Sequence, residues 1–305
     1  MLVLNWNGRP FLQECLSSLK EQDYEGFETV LVDNGSTDGS ADYVRDAFPR
    51  VRIFSLPENL GFCGANNKAI QESLSRGIKY VLLLNNDTFV APRFVREIIK
   101  AAEDDPEVAV VCPKIFWARR PNVFWYAGAD LNLWLGRARH RGYNQEDHGQ
   151  FDSRTVITLA TGCAMLVRCS AIAEVGMLNE DLWAYAEDLE WGLRFQQAGY
   201  KLRFAPTARV WHYDGSTNVV AGSQAIRLYY STRNLLHIGM KYCRWWQVPT
   251  FLLGFLIFHL AFFFALRLMR SDYPALVALY AGVRDALRGS MQRYRGAVFQ
   301  PTGPS

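Results

Sequence analysis

Short apolar runs alternate with amphipathic stretches through residues 1–112. Leu2–Leu4, Thr29–Val32, Val51–Phe54, Tyr80–Leu84 and Val108–Val111 have the length and apolar content of strands. Phe11–Lys20, Ser40–Phe48, Ala65–Arg76 and Pro92–Glu103 read as the helices between them. This alternation predicts an α/β fold of βαβ units, with a mostly parallel sheet covered by helices on both faces. Pro10 suits a first helical turn, and Ser36-Thr37-Asp38 offers caps for the second helix. The rhythm breaks over 113–158, a stretch rich in Trp, Tyr, Gly and Arg that reads as a functional insertion. It returns with a strand at Thr158–Val167 and a helix from Glu187 to Gln197, closed by Gly199. Strands at Lys201–Phe204 and Ala208–Trp211 follow, then helices near 222–241 and 274–290.

Between those two helices lies Val248–Leu266, interrupted only by Pro249, Gly254 and His259. Its length is at the lower bound for crossing a bilayer. Lys241 and Arg244 precede it and Arg267 and Arg270 follow, so charge favours neither orientation. Trp245 and Trp246 are placed like interfacial anchors. We expect a helix lying in the membrane interface; a span, a buried helix or a homodimer contact are the alternatives. The chain then divides into an α/β part at 1–112, a part of broken rhythm at 113–221, and a membrane-associating helical region at 222–305.

Half of the 305 residues are hydrophobic and 21% are charged, enough for a sizeable core. A net charge of +3 is too small to argue for nucleic acid. The charge is uneven, however. From Lys241 onward it is cationic apart from Asp272 and Asp285, which suits an anionic membrane surface. Segment 117–143 sets Arg119, Arg120, Arg137, Arg139 and Arg141 against Asp130 alone, which suits a phosphorylated acceptor or simply a solvated face. The six scattered cysteines form no C-x-x-C pair and read as reduced core thiols in a cytosolic setting. Met1–Leu4 is too short for a signal peptide.

The candidate chemistry collects at strand ends, where open α/β sheets bind ligands. Asn5-Trp6-Asn7-Gly8 follows the first strand, and Asp33-Asn34-Gly35-Ser36 follows the second. An aspartate at that point can accept a hydrogen bond from the N3–H of a pyrimidine base. Asn59-Leu60-Gly61-Phe62-Cys63-Gly64-Ala65-Asn66-Asn67 opens a helix whose free N–H groups favour polar nucleotide groups. Asn85-Asn86-Asp87 ends the Tyr80 strand, and a carboxylate beside two amides suits a hard divalent cation and the phosphates it carries. Glu187, Asp188 and Glu190 crowd one helix start, which is favourable for the helix dipole and also a source of a general base. Arg194 is placed for an i,i+4 pair with Glu190. Trp183 and Tyr185 just before them offer a stacking surface for a sugar ring. His212 either completes a metal's coordination or caps its strand.

In order along the chain, these segments resemble the family-2 glycosyltransferases with the GT-A fold. The resemblance rests on Val32-Asp33-Asn34-Gly35-Ser36-Thr37-Asp38, Leu84-Asn85-Asn86-Asp87-Thr88, Ala160-Thr161-Gly162-Cys163-Ala164, Glu187-Asp188-Leu189-Glu190-Trp191 and His212-Tyr213-Asp214-Gly215. Together with Tyr229-Tyr230-Ser231-Thr232-Arg233-Asn234, they look most like bacterial rhamnosyltransferase-type members. The resemblance implies an inverting hexosyltransferase. It would move a sugar, with dTDP-rhamnose favoured, from a dTDP- or UDP-sugar to a hydroxyl of a lipid-linked or polysaccharide acceptor. It would work at the cytoplasmic face of the bacterial inner membrane with Mg²⁺ or Mn²⁺. Asp33 would bind the base, with Asn5, Asn7, Asn34, Gly61, Gly64, Asn67 and Asn86 around the nucleotide. Asp87 and His212 would hold the metal. Asp188, with Glu187, would be the catalytic base. Gly162, Trp183 and Tyr185 would meet the acceptor, and Arg233 and the Gly215–Gly222 loop would close over the diphosphate. Asn85 stands where the family's D-x-D motif has its first carboxylate, so Asp87 is the one acidic ligand of that motif.

Other enzyme classes lack their signatures here. No Gly-rich basic loop follows the first strand, as a sugar-1-phosphate nucleotidyltransferase needs, and no G-x-G-x-x-G or G-x-x-x-x-G-K-[ST] occurs. A non-catalytic nucleotide-sugar sensor or membrane scaffold would be expected to lose Asp87 or Glu187-Asp188, and all three are present.

Overall fold

The computed structural model describes residues 1–213, 223–291, 293 and 294. The Gly215–Gly222 loop expected to act as a lid lies outside these residues. The chain forms two compact units. The first comprises Met1–Asp130, Arg139–Asn179 and Glu187–Asp214; the second comprises Leu131–Ala138, Glu180–Ala186 and Gly215–Ser305. Both the 1–112 stretch and most of 113–221 therefore contribute to one unit.

The first unit is built on the expected sheet. Parallel strands β1 (Leu2–Asn5), β2 (Val30–Asp33), β3 (Arg52–Ser55) and β4 (Tyr80–Asn85) lie side by side in the order β4-β1-β2-β3. The apolar runs of β1, β2 and β4 are buried, while β3, at the sheet's edge, is half-buried. The register aligns the strands' last residues: Asn5 pairs with Asp33, Asp33 with Ser55, and Leu4 with Asn85. Helices α1 (Arg9–Lys20), α2 (Ser40–Ala47), α3 (Gly61–Ser75) and α4 (Phe94–Glu103) connect the strands. On α1 the buried side chains are Leu12, Cys15, Leu16 and Leu19, the i, i+3, i+4, i+7 stripe of a helix covering a sheet. Five of the six cysteines are buried, Cys243 is half-buried, and all are free thiols, as expected.

Past residue 108 the sheet continues differently from the sequence reading. Strand β5 (Thr88–Val90) follows β4 directly, and β6 (Val108–Trp117) runs well into the supposed insertion. The insertion itself holds β7 (Arg120–Tyr126), the β8–β9 hairpin (Ala129–Asn132 and Arg137–His140) and the short β10 (Val156–Ile157). Only Ala164–Arg168 of the expected 158–167 strand is extended; this β11 lies antiparallel between β4 and β6. A missed helix, α5 (Cys169–Val175), comes next, and α6 (Glu187–Gln197) has the expected bounds. The two strands expected at 201–211 are one, β12 (Lys201–His212), with a register shift between Ala205 and Arg209. Pro206 cannot donate a ladder bond, which accounts for the break that its sequence suggested. Beyond that shift β12 pairs with β5, setting His212 opposite Thr88.

Part of the basic insertion is structural. Arg141 is buried, its Nε 2.9 Å from Asp130 Oδ2, and it donates to the carbonyls of Arg154 and Val156. Lys114 is buried between Asp147 and Asp152, at 2.8 and 2.6 Å. Buried charges paired in this way add to the buried Phe124, Tyr126 and Ile157 in ordering this loop-rich segment.

The second unit is helical. α7 (Ser223–Tyr242) packs on α10 (Tyr273–Leu287): Tyr229 and Tyr230 meet Ala278 and Ala281, and Leu228 meets Ala275 and Leu279. Between them, α8 (Val248–Phe255), a π-helical turn (Leu256–Ala261) and α9 (Phe262–Met269) run on as one 22-residue helix. Among the described residues it is the one helix long and apolar enough to cross a membrane by length and composition. Gly239 admits the Phe251 ring, and a Cβ on Gly254 would lie 2.1 Å from the carbonyl oxygen of Leu135. That neighbour is backbone, so Gly254→Ala must displace the Leu131–Ala138 tip. We expect a loss of about 1–3 kcal/mol in stability, read as an earlier transition in urea-induced unfolding; an unchanged midpoint would show that the tip moves freely.

Candidate functional site

The carboxyl edge of the first unit is joined by buried amides. Asn5 is fully buried; its Nδ2 donates to Asp33 Oδ1 and Ser36 Oγ, both at 3.1 Å. Its Oδ1 accepts from Asn86 Nδ2 at 2.6 Å. One side chain therefore ties the end of β1 to the loops after β2 and β4. Asn7, in a left-handed conformation at φ 49°, accepts from Thr37 N, while its own N–H donates to Ser36 Oγ. Asn34 extends the network to the third cluster: its Oδ1 accepts from Leu60 N, and its Nδ2 donates to Asn59 Oδ1 and the Gly61 carbonyl. Gly61, also left-handed at φ 74°, opens α3, and Gly64 is buried in its first turn. The expected nucleotide-binding residues are thus brought together, apart from Asn67. Asn67 spends its amide on the backbone N and O of Leu178. Ser36 was read from the sequence as a candidate helix cap; instead its hydroxyl accepts from Asn5 Nδ2 and Asn7 N.

Asp87 is fully buried, and its Oδ1 lies 3.3 Å from His212 Nε2. The pairing of β5 with β12 brings them together. Trp125 meets the His212 ring edge-on at 4.9 Å. Burial opposes a proton on His212, but Cys163 and Asp87 outweigh it and hold the imidazole well above its ordinary value. A carboxylate oxygen and an imidazole nitrogen are a donor pair that a divalent cation accepts, and such a cation would replace that proton. No group of three or more His, Cys, Asp or Glu placed to hold a metal occurs among the described residues. The remaining ligands would have to be water or phosphate oxygens.

The acidic pair is linked to the same edge through the loop before β11. Asn85 N donates to the Cys163 carbonyl at 2.9 Å, and Gly162 N donates to Asp188 Oδ2 at 2.8 Å. Asp188 Oδ1 accepts from Leu189 N at 2.8 Å, so both of its oxygens are oriented. Glu187 is buried, and its Oε2 has no hydrogen-bond partner. Burial, then the adjacent Asp188 carboxylate, push Glu187 far above the usual carboxylate range. Burial also raises Asp188, against the opposing hydrogen bonds from Gly162 and Leu189. Raised to about 8, Glu187 keeps its proton at neutral pH. Glu190 takes no part, being paired with Arg194 at 2.9 Å as the i,i+4 spacing suggested.

Three expected site residues belong to the second unit. Trp183 and Tyr185 are half-buried against Tyr229, Tyr230, Ala278 and Ala281, and Arg293 stacks over Trp183 at 3.8 Å. Arg233 is fully buried; its Nη2 donates to the carbonyls of Asp181 and Leu182.

Comparison with known proteins agrees with this geometry. The Glycosyl transferase family 2 model matches residues 2–176, more than half of the chain. The N-acetylglucosaminyl-diphospho-decaprenol L-rhamnosyltransferase of Mycobacterium tuberculosis is 26% identical over 272 residues, covering 82% of this chain and 86% of that one. The dTDP-rhamnosyl transferase RfbF of Shigella flexneri is 24% identical, covering 73% of each. Among solved structures, the mannosyltransferase PcManGT of Pyrobaculum calidifontis, in complex with GDP-Man and Mn²⁺, superimposes with a TM-score of 0.58 at 18% identity, covering 94% of this chain and 86% of that one. The last likeness bears out the GT-A fold that the family resemblance implied. The chain is a member of glycosyltransferase family 2, of rhamnosyltransferase-like type.

Proposed function

We propose that this glycosyltransferase moves rhamnose from dTDP-rhamnose, with inversion, onto a hydroxyl of a lipid-linked N-acetylglucosaminyl diphosphate. The sugar and acceptor are suggested by the two rhamnosyltransferase relatives. The observation that supports the reading is a set of hydrogen bonds along one edge: Asn5 joins Asp33 and Asn86, the neighbouring Asn85 N donates to the Cys163 carbonyl, and Gly162 N donates to Asp188. Asn5 holds one oxygen of Asp33, and we assign the other to the N3–H of the thymine. Asp87 and His212 would hold Mg²⁺ or Mn²⁺, which would offset the charge building on the departing diphosphate. Asp188, oriented by two N–H groups, takes the acceptor proton while the acceptor oxygen attacks the anomeric carbon from the face opposite the diphosphate. Glu187, carrying its proton, keeps the pair from bearing two adjacent charges. A base of this kind contributes about 10²–10⁴-fold.

We also assign the second unit to the cytoplasmic leaflet. Phe251, Gly254, Phe255, His259 and Arg267 face the protein, while Leu253, Leu256, Phe258 and Phe262 are exposed. Only 28% of the helix's most apolar window is buried. Tyr273, Val277 and Tyr280 extend an exposed apolar face along α10, and Trp245 and Trp246 stand before α8. A helix with one packed and one bare apolar face fits a monotopic attachment.

Asp188→Asn is expected to lower turnover of dTDP-rhamnose by about 10²–10⁴-fold while dTDP binding stays within a few fold; near-normal turnover would remove Asp188 as the base. A pH titration tests Glu187. Between its ordinary value near 4.5 and its raised value, the folded chain holds a proton that the unfolded chain releases, so its contribution to stability falls as pH rises. Glu187→Gln should therefore leave Tm nearly unchanged at pH 4 and raise it by roughly 2–4 °C at pH 8; equal shifts at both pH values would refute the proton retained on Glu187. For the membrane, Leu253→Glu with Phe262→Glu should abolish co-flotation with phosphatidylglycerol vesicles without changing the circular dichroism. Undiminished flotation would contradict the assignment.

A further inference from the structure

The segment before the acidic pair has an unusual backbone. Trp183, Tyr185 and Ala186 all lie in the left-handed region, at φ 65°, 66° and 65°, with no glycine among them. L-residues rarely adopt this conformation, and a run of them persists only where its surroundings impose it. Here the imposing groups come from one point on α7. Asn234, fully buried, donates through Nδ2 to the carbonyls of Leu182, Ala184 and Tyr185 at 3.0, 3.0 and 2.7 Å. Arg233 donates through Nη2 to the carbonyls of Asp181 and Leu182 at 2.9 and 3.2 Å. Its Nε donates to Asn234 Oδ1 at 2.9 Å, which turns the amide so that Nδ2 faces the turn. The flanking Tyr229 and Tyr230 pack against Trp183 and Tyr185, so side chains and backbone of the turn are held by the same helix.

The left-handed run ends at Ala186, which is bonded directly to Glu187 at the start of α6, with Asp188 next. We propose that Arg233 and Asn234 are positioning residues: they lock the left-handed 183–186 turn and so set the direction in which the chain delivers the Glu187–Asp188 pair. This replaces the expected contact of Arg233 with the diphosphate. It rests on the reading of Asp188 as the base.

The test combines Asn234→Ala with Ala186→Gly, because glycine adopts positive φ without the steric penalty. Hydrogen–deuterium exchange reports on the turn, calorimetry with dTDP and Mn²⁺ reports on nucleotide binding, and released nucleoside diphosphate from dTDP-, UDP- and GDP-sugars reports on turnover. Asn234→Ala should speed exchange over 182–189 at least tenfold and cut kcat at least 30-fold, with the dTDP Kd within twofold of wild type. Adding Ala186→Gly should recover at least fivefold of the lost kcat. Unchanged exchange would overturn the clamp, and fast exchange with full kcat would overturn its catalytic role. A parallel fall in dTDP affinity would return Arg233–Asn234 to nucleotide binding. If Asn234→Ala does not fold, Arg233→Lys, which loses the fork but keeps the charge, carries the same readouts. A wild-type chain that consumes no nucleotide sugar would refute the proposed function, while the exchange measurement still decides the clamp.

Discussion

The buried amide of Asn5 is the joint on which the carboxyl edge depends. Parallel strands bring their last residues to one edge, but register alone leaves the loops beyond them free to diverge. Asn5 uses both ends of its amide, donating toward Asp33 and Ser36 and accepting from Asn86. Leaving such a group unpaired in the interior costs about 1–3 kcal/mol, so each loop is held in the position that satisfies it. The cost is met once, on folding, and the site is then arranged before any ligand arrives, which is what electrostatic preorganisation requires.

The carboxylates around this edge differ because their surroundings differ. Asp33 receives an amide N–H, and Asp87 faces an imidazole. Glu187 has an oxygen buried without a donor, beside the charge of Asp188, and is driven toward its neutral form. One sheet edge thus holds a carboxylate bound by an amide, a carboxylate against an imidazole, and a retained proton where two acids adjoin. A neutral Glu187 would spare Asp188 the repulsion of a second anion, as the base proposed above requires.

The parts of this arrangement that could be read from sequence are those encoded locally. The buried runs of β1, β2 and β4 were legible from apolar content, and Asp33 and Asp87 were legible because each ends such a run. Helix α6 was found to the residue, since its acidic first turn and Gly199 are local signals. The insertion was opaque because its order comes from distant charge pairs such as Lys114 with Asp147 and Asp152. Asn67 and Arg233 were legible as polar residues in a motif but not in their partners. Each bonds to backbone carbonyls or amides far along the chain, and a carbonyl has no identity in the sequence. The left-handed turn was hidden for the same reason: nothing in Trp183, Tyr185 or Ala186 favours positive φ, and the groups that impose it lie some fifty residues later.

Non-glycine residues at positive φ each cost about 1–3 kcal/mol, so the 183–186 turn needs a partner more rigid than itself. α7 qualifies because it is fixed on its other sides. Tyr229 and Tyr230 bury against α10, Leu236 against Phe251 and Phe255, and Gly239 against the Phe251 ring. The rigidity that holds the turn therefore comes from the same helices whose outer faces are bare and apolar. A change that loosens α8 or α10 reaches the turn through α7, whereas a change on their exposed faces leaves those inner contacts in place. The proposed attachment and the proposed positioning would thus use opposite sides of one helical layer.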